Sequence, residues 1–287
     1  MKKIVILSMK GIFIFIFLLT FLMGTVALNM RDTYNRLQHG VSSGVYLEEI
    51  LMENKLESEV KAIVEQEGML LFKRPRNAFF DRLTGQLVKE IYGEKLDAQA
   101  TVAMIMDGEP HNVYSPVMVP LEPEITVDIY RDITERRGSF GTGYGNGGRA
   151  ENIRLAASFI HNYLLAPGEI FSFNKVTGHN NPGKGYRPAP IIVGDSVIQG
   201  YGGGVCQVSS TLYNAVLFSD LEIVERFPHS RPIGYLPIGR DATVSGHLDF
   251  KFRNNTNKYI LIKGGGGGGY VYFEIWSSPE DQGTVDS

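Results

Sequence analysis

The sequence predicts an α+β protein: a mostly antiparallel sheet with a few helices in its second half, a smaller α+β domain before it, and a transmembrane helix at the amino terminus. Three observations carry this reading. An uncharged apolar run follows the first lysines. Two segments, 149–165 and 205–217, place their apolar residues on one helical face. Around them lie short stretches of period-two alternation separated by glycine-rich turns.

The elements follow in order. Lys2, Lys3 and Lys10 precede the apolar stretch from Gly11 to about Met30. This is an export signal, and two forms of it compete. A cleaved signal peptide would use Thr25-Val26-Ala27 as a small-x-small site, whereas an uncleaved anchor would be held amino-terminus-in by the lysines. The run is long enough to cross a hydrocarbon core of roughly 30 Å, which favours the anchor, so residues 1–30 are assigned to it. Either form puts the remainder outside the cytoplasm, as a single-pass membrane protein or as a secreted one. Residues 31–45 form a polar juxtamembrane linker. The first domain is set at 46–137: Tyr46 to Leu71 reads as a small folded unit whose piece "YLEEILMENKLESEVKAIVEQ", Tyr46 to Gln66, has the apolar spacing of a helix, and "ITVDIYRDI", Ile125 to Ile133, reads as a strand. The glycine- and serine-rich "RRGSFGTGYGNGGRA" marks the boundary, so the second domain is set at 138–276. A tail at 277–287 has too few apolar residues to order itself.

Within the second domain, Ile153, Ala156, Ile160 and Leu164 share a helical face, and "APGE" at 166–169 stops that helix. "IFSFN" and Ile191–Val193 read as strands. Val205, Val208, Leu212, Ala215 and Val216 define a second buried helical face. "LEIVERF" is a strand, and three more follow, the last two joined by Gly264–Gly269 as a flexible hairpin loop. A phosphate loop is excluded there, because no helix and no Lys-Ser/Thr pair follow the glycines.

Composition narrows the function. With 43% hydrophobic residues and a net charge of -3, the exported part is an ordinary folded chain without the basic patch that nucleic acid requires. His39, His111, His161, His179, His229 and His247 are scattered singly, so neither a metal nor a cofactor is implied. Cys206 is the single cysteine, which leaves no pair for an extracytoplasmic disulfide. It is a free thiol, half of an intermolecular bridge, or a small buried hydrophobe. Its frame, "GGGVCQVSS", weighs toward chemistry. Glycines at 202–204 permit positive φ and close approach of a substrate chain, and a helix amino terminus favours thiolate over thiol. A nucleophile needs a base and an orienting group. His229, in a loop beside proline, leads as base, and Asp241 leads as orienter, although a lone loop histidine is commonly just solvated and Asp241 equally fits an Asx turn. His247 and Asp249 are held in reserve on an expected strand.

At this point "RAENIRLAASFIHNYLLAPGEIFSFN", "GYRPAPII", "GGGVCQVSSTLYNAVLFSDLEIVERFPHS" and "YLPIGRDATV" resemble the VanW domain, an exported bacterial domain first named from glycopeptide-resistance gene clusters. The resemblance covers about Gly138 to Trp276, and "RPRNAFFDRLTGQL" before it looks more weakly like the peptidoglycan-binding region that often precedes VanW domains. The glycine-only stretch at 264–269 departs from the family, whose members carry mixed residues there. What the resemblance implies is cell-wall work, with some members regarded as L,D-transpeptidases that use the domain's cysteine. Carried over, it makes Cys206 the nucleophile on peptidoglycan stem peptides, with His229 as base and Asp241 fixing the imidazole tautomer. Gly202, Gly203, Gly204, Gln207, Ser209, Tyr235 and Arg240 are the expected substrate-facing set. A non-catalytic wall-binding protein and a thiol-dependent peptidoglycan hydrolase remain as rivals.

Overall fold

A computed structural model of the chain describes residues 9–178, 181–193 and 196–279. Lys2, Lys3, His179 and the tail from residue 280 lie outside these residues. The fold is mixed α+β with seven helices among the described residues. The chain divides into two compact units, residues 1–79 with 89–125, and residues 80–88 with 126–287.

The first unit opens with α1 (Met9–His39), which is long and apolar enough to cross a membrane. Phe13, Phe17 and Phe21 are all exposed along it. Thr20 and Thr25 donate their hydroxyls back to the carbonyls of Phe17 and Leu22, so these polar groups need no outside partner. At its polar end Arg36 donates to both carboxylate oxygens of Glu59, at 2.7 and 2.9 Å. The helix expected over Tyr46–Gln66 starts late and runs on to Leu71. Residues 46–51 instead form the short antiparallel pair β1 (Tyr46–Leu47) and β2 (Ile50–Leu51), because Glu48 takes a left-handed φ of 50° and breaks any helical run. The helix proper is α2 (Glu57–Leu71), entered where Glu59 accepts the Leu56 N–H. The hairpin strands β3 (Phe79–Phe80) and β4 (Leu87–Val88) come next in the chain, and residues 80–88 belong to the second unit. Next come β5 (Gly93–Leu96), α3 (Ala98–Met106), β6 (Val113–Tyr114), parallel to β1, and β7 (Met118–Leu121), antiparallel to β5. Val45, Leu47, Met52, Val60, Val64 and Ile105 close the core of this unit.

The second unit corrects two readings at once. "ITVDIYRDI" is not a strand: it holds the one-and-a-half-turn helix α4 (Val127–Asp132), with an Asp128–Arg131 ion pair on its surface and Tyr130 edge-on to Phe80. The strand is the segment after it, β8 (Glu135–Gly143), within what reads as a linker. Its glycines serve close packing rather than looseness. A Cβ on Gly138 would land on Ser219 and on the Phe218 backbone, and one on Gly141 would strike the Tyr270 ring.

Then follow α5 (Gly148–Ile160), β9 (Tyr163–Leu165), β10 (Ile170–Ser172), α6 (Phe173–Thr177), the hairpin β11 (Pro188–Val193) and β12 (Ser196–Tyr201), and α7 (Val205–Leu217). The unit closes with β13 (Glu222–Glu225), β14 (Lys251–Arg253), β15 (Ile260–Gly267) and β16 (Tyr270–Ser277). Helix α5 stops earlier than expected: Asn162 takes φ 58°, and Leu164 lies on β9 instead of on the helical face. His247 and Asp249 precede β14 rather than lying on it. The main sheet runs β8-β16-β15-β9, antiparallel throughout. Alternate residues Val271, Phe273 and Ile275 of β16 point into the core, where α5 covers β15 and α7 covers β8 and β16. A second sheet, β10-β14-β13, adds the stacked rings of Phe171 and Phe252 to the same core. The glycine run is mostly sheet: Gly264–Gly267 pair with Tyr270–Phe273, and the turn is only Gly268 and Gly269, at φ 57° and 78°. Two successive positive φ values are what a two-residue hairpin of this twist requires.

Candidate functional site

The site forms where the β11–β12 hairpin feeds α7. Gly202 and Gly204 take φ values of 79° and 102°, which turn the chain sharply into the helix. The space beside these glycines is occupied by the protein itself. A Cβ on Gly203 would sit 2.6 Å from the Pro190 carbonyl oxygen, and one on Gly204 would sit 2.8 Å from Arg149 Cγ. The glycines therefore wedge the loop between β11 and α5, although their backbone still lines the cavity in front of the helix. Of the backbone donors between Gly204 and Gln207, those of Val205 and Gln207 already reach the carbonyls of Gly202 and Gly204.

Cys206 is the second residue of α7 and lines a cavity of about 430 Å³ together with Arg149, His229, Tyr235 and Thr243. As a residue Cys206 is half-buried, with its thiol desolvated by the surrounding protein. Its hydrogen bond is donated to the Val244 carbonyl oxygen, at 3.4 Å. Burial pushes the thiol above its ordinary pKa, and the neighbouring Arg149 guanidinium only partly offsets this. A thiolate stabilised by the helix terminus is thus not the resting form. Desolvation is the largest cause of the upward shift, ahead of the Val244 hydrogen bond and the Arg149 charge that oppose it.

Opposite the thiol, the other two expected residues meet each other. Asp241 Oδ2 accepts both the backbone N–H of His229 and its ring Nδ1, each at 2.6 Å, while Oδ1 accepts from Arg226 at 2.9 Å. With Nδ1–H on the carboxylate, Nε2 is the basic nitrogen of the ring. Burial alone would raise the Asp241 pKa, but the His229 backbone and imidazole outweigh it and hold the carboxyl below the usual carboxylate range.

Gln207 and Arg149 form a second network. Gln207 Oε1 accepts from Arg149 at 2.8 Å, and its Nε2 donates to Thr142 Oγ1 and the Gly143 carbonyl at 3.0 and 2.7 Å. Arg149 in turn lies over the Tyr235 ring, 5.9 Å from its centroid. Burial and the nearby Cys206 sulfur push the Tyr235 phenol pKa upward. Gln207 lines the cavity, but its amide is fully engaged inside the protein and its task is to hold Arg149.

Ser209 is fully buried and donates to the carbonyls of Cys206 and Ala242 at 3.1 and 2.5 Å. Ser210 bonds Cys206 and the Ala242 backbone in the same way. These hydroxyls tie the first turn of α7 to the segment that carries Asp241. Arg240 points elsewhere, over Phe218 and toward Asn214. Of the reserve pair, His247 is exposed, and Asp249 accepts from Ser172 and the Asn174 N–H at the start of α6. Neither lines the cavity. Arg149, Thr142, Arg226 and Thr243 were not singled out from the sequence. Their places at the site depend on partners that tertiary packing brings to them, as Gln207 is brought to Arg149 and Thr142. Among the described residues no group of three or more His, Cys, Asp or Glu could hold a metal ion.

The profile of a family described as VanW like protein matches residues 148–276. The chain is 39% identical over 223 residues to the protein of Bacillus subtilis (strain 168) named uncharacterized protein YoaR, a match that spans 75% of this chain and 73% of that one. It is 33% identical over 137 residues to Vancomycin B-type resistance protein VanW of Enterococcus faecalis (strain ATCC 700802 / V583), spanning 46% of this chain and 45% of that one. No solved structure matches significantly.

Proposed function

From the premise that the chain belongs to the VanW family, we propose that it is an extracytoplasmic cell-wall protein, tethered by α1, that transfers acyl groups between peptidoglycan stem peptides as an L,D-transpeptidase through Cys206. The setting rests on the family, on a relative named for vancomycin resistance, and on an amino-terminal helix able to serve as anchor or signal. The first unit is read as the part that binds the wall. The reaction rests on one observation: Cys206 lines the same cavity as His229, whose ring is hydrogen-bonded to Asp241.

In this reading His229 Nε2 takes the thiol proton as sulfur attacks the carbonyl carbon before the terminal D-alanine. The C–S bond forms, the C–N bond breaks, and the same proton passes to the leaving amine. The amine of a second stem then attacks the thioester. A new C–N bond replaces C–S, and the proton lost by that amine returns to sulfur, leaving a 3-3 cross-link. The oxyanion falls to the N–H groups of Gly204 and Cys206, since those of Val205 and Gln207 are engaged. Because the resting thiol is protonated, attack and proton transfer are coupled.

Muropeptide profiles of cells expressing the wild type and Cys206→Ala test this. Expected is a loss of 3-3 cross-links in the variant, and identical profiles defeat the catalytic reading. Purified tetrapeptide stems separate the reactions: a transpeptidase yields dimers, a hydrolase yields tripeptide and D-alanine. The second reading is a non-catalytic binding groove, favoured by the bond that ties the thiol to Val244.

A further inference from the structure

A second, smaller cavity of about 220 Å³ lies against the first, with His229, Ser230 and Ile233 lining both. Its chemistry is distinctive. Arg226 and Arg231 both line it, and among the described residues Arg226 pairs with Asp241 while Arg231 makes no ion pair. The Nε and Nη2 atoms of Arg231 are buried and have no hydrogen-bond partner. Arg231 as a whole is half-buried, but two of its donors are shielded from water without a partner, which costs free energy unless a ligand accepts from them, so this side of the guanidinium points to an anionic ligand. Two guanidinium groups against one carboxylate leave one positive charge unmatched, which suits a monoanion. Pro228, Pro232, Leu236 and Ile238 supply apolar walls around it.

We infer that this cavity is a subsite for the free carboxylate of a small aliphatic amino acid at a peptide carboxyl terminus, held by Arg231. A planar guanidinium presents parallel donors that match a carboxylate, and the apolar walls fit a methyl-sized side chain. The inference rests on the acyl-transfer reading of the neighbouring cavity and extends it. In a stem ending in D-alanine, the scissile carbonyl, the leaving nitrogen and the terminal carboxylate follow one another. Cys206, His229 and Arg231 follow in the same order across the two cavities, and one tetrahedral carbon joins the leaving nitrogen to the carboxylate.

The test uses the full chain in detergent micelles with Cys206→Ala, so that binding is read without acyl chemistry. N-acetyl-D-alanine and its carboxamide are titrated while the arginine Nε–Hε resonances are followed by NMR. Expected is binding of the acid roughly ten- to a hundredfold tighter than the amide, with the Arg231 resonance moving. Arg231→Gln abolishes this preference and Arg231→Lys retains part of it. Equal affinity for acid and amide, no binding of either, or a preference that leaves the Arg231 resonance in place overturns the inference. A thermal melt of each variant shows whether it is folded, and should Arg231→Gln unfold, the wild-type resonance alone decides. A failed cross-linking assay leaves this readout untouched, so the two ideas fall separately.

Discussion

Asp241→Asn removes the charge at the centre of the site while keeping its shape. The carboxylate accepts three hydrogen bonds, two from His229 and one from Arg226, and its side chain is only 9% exposed. An amide in its place can turn its oxygen toward His229 or toward Arg226, not toward both. One contact becomes donor against donor, and Arg226, itself 20% exposed, loses its counter-charge. Breaking a buried pair from one side costs about 3–5 kcal/mol, and this pair sits at the lower end because Arg226 keeps some solvent. About 3 kcal/mol lowers the melting temperature of a unit this size by roughly 6–12 °C. The pH dependence carries an independent sign. The native carboxyl titrates below its unfolded value of about 3.9, so its stabilisation is complete above that value and is lost as pH falls through the lower, native one. Circular dichroism melts of wild type and Asp241→Asn between pH 7 and 3 read both quantities. The gap between them should hold from neutral pH down to about pH 4 and narrow progressively below that value, towards the lower native one. A gap under about 2 °C, or one that does not narrow in acid, refutes the ion-pair account.

Alkylation of Cys206 by iodoacetamide should rise with pH to a midpoint above the ordinary thiol value of about 8.5, and Arg149→Met should move the midpoint higher still; a wild-type midpoint below about 7 contradicts the burial argument. Gly204→Ala should destabilise by about 1–3 kcal/mol in a urea titration, since it forces a side chain to φ 102° and onto Arg149, and an unchanged midpoint shows that the loop relaxes freely. Within the glycine run, Gly264→Ala should cost about 1–3 kcal/mol because its Cβ meets the Phe273 ring and lies 2.8 Å from the Tyr272 carbonyl oxygen. Gly267→Ala has open space and should be neutral or stabilising by up to about 1 kcal/mol, so equal melting temperatures for the two refute that contrast.

The errors of sequence reading share a physical cause. Helix α7 was legible because Val205, Val208, Leu212, Ala215 and Val216 are large enough to write their periodicity into the chain. Strand β8 and the glycine half of β15 were not, because they pack by lacking side chains: Gly138 admits the Ser219 end of α7, and Gly264 admits Phe273. Periodicity registers apolar bulk and is blind to a face built from missing Cβ atoms. The misread Ile125–Ile133 fails for the converse reason. Its apolar residues alternate, yet Val127 and Tyr130 are also a helical i, i+3 pair, and Phe80 decides between the two by offering Tyr130 an edge contact. At the site, Cys206, His229 and Asp241 stood out as chemical types in turn-like frames. Arg149 and Arg226 could not, since each acquires its role only when distant segments fold against it.

The serine pair of α7 explains how such distant parts hold a common geometry. Ser209 and Ser210 each donate to the Cys206 carbonyl and to the Ala242 carbonyl, and Ala242 donates back to Ser210. The turn carrying the thiol and the residue next to Asp241 are therefore fixed to one another by buried hydrogen bonds, in a region where an unmade bond is costly. Arg226 extends the same frame, donating to the Asp241 carbonyl oxygen at 2.6 Å as well as to its side chain. The distance from sulfur to imidazole is thereby set by backbone positions rather than by flexible side chains. On the acyl-transfer proposal, that rigidity is what a neutral thiol would require: with no standing thiolate, attack would depend on the base being in place at the moment a peptide carbonyl enters the cavity.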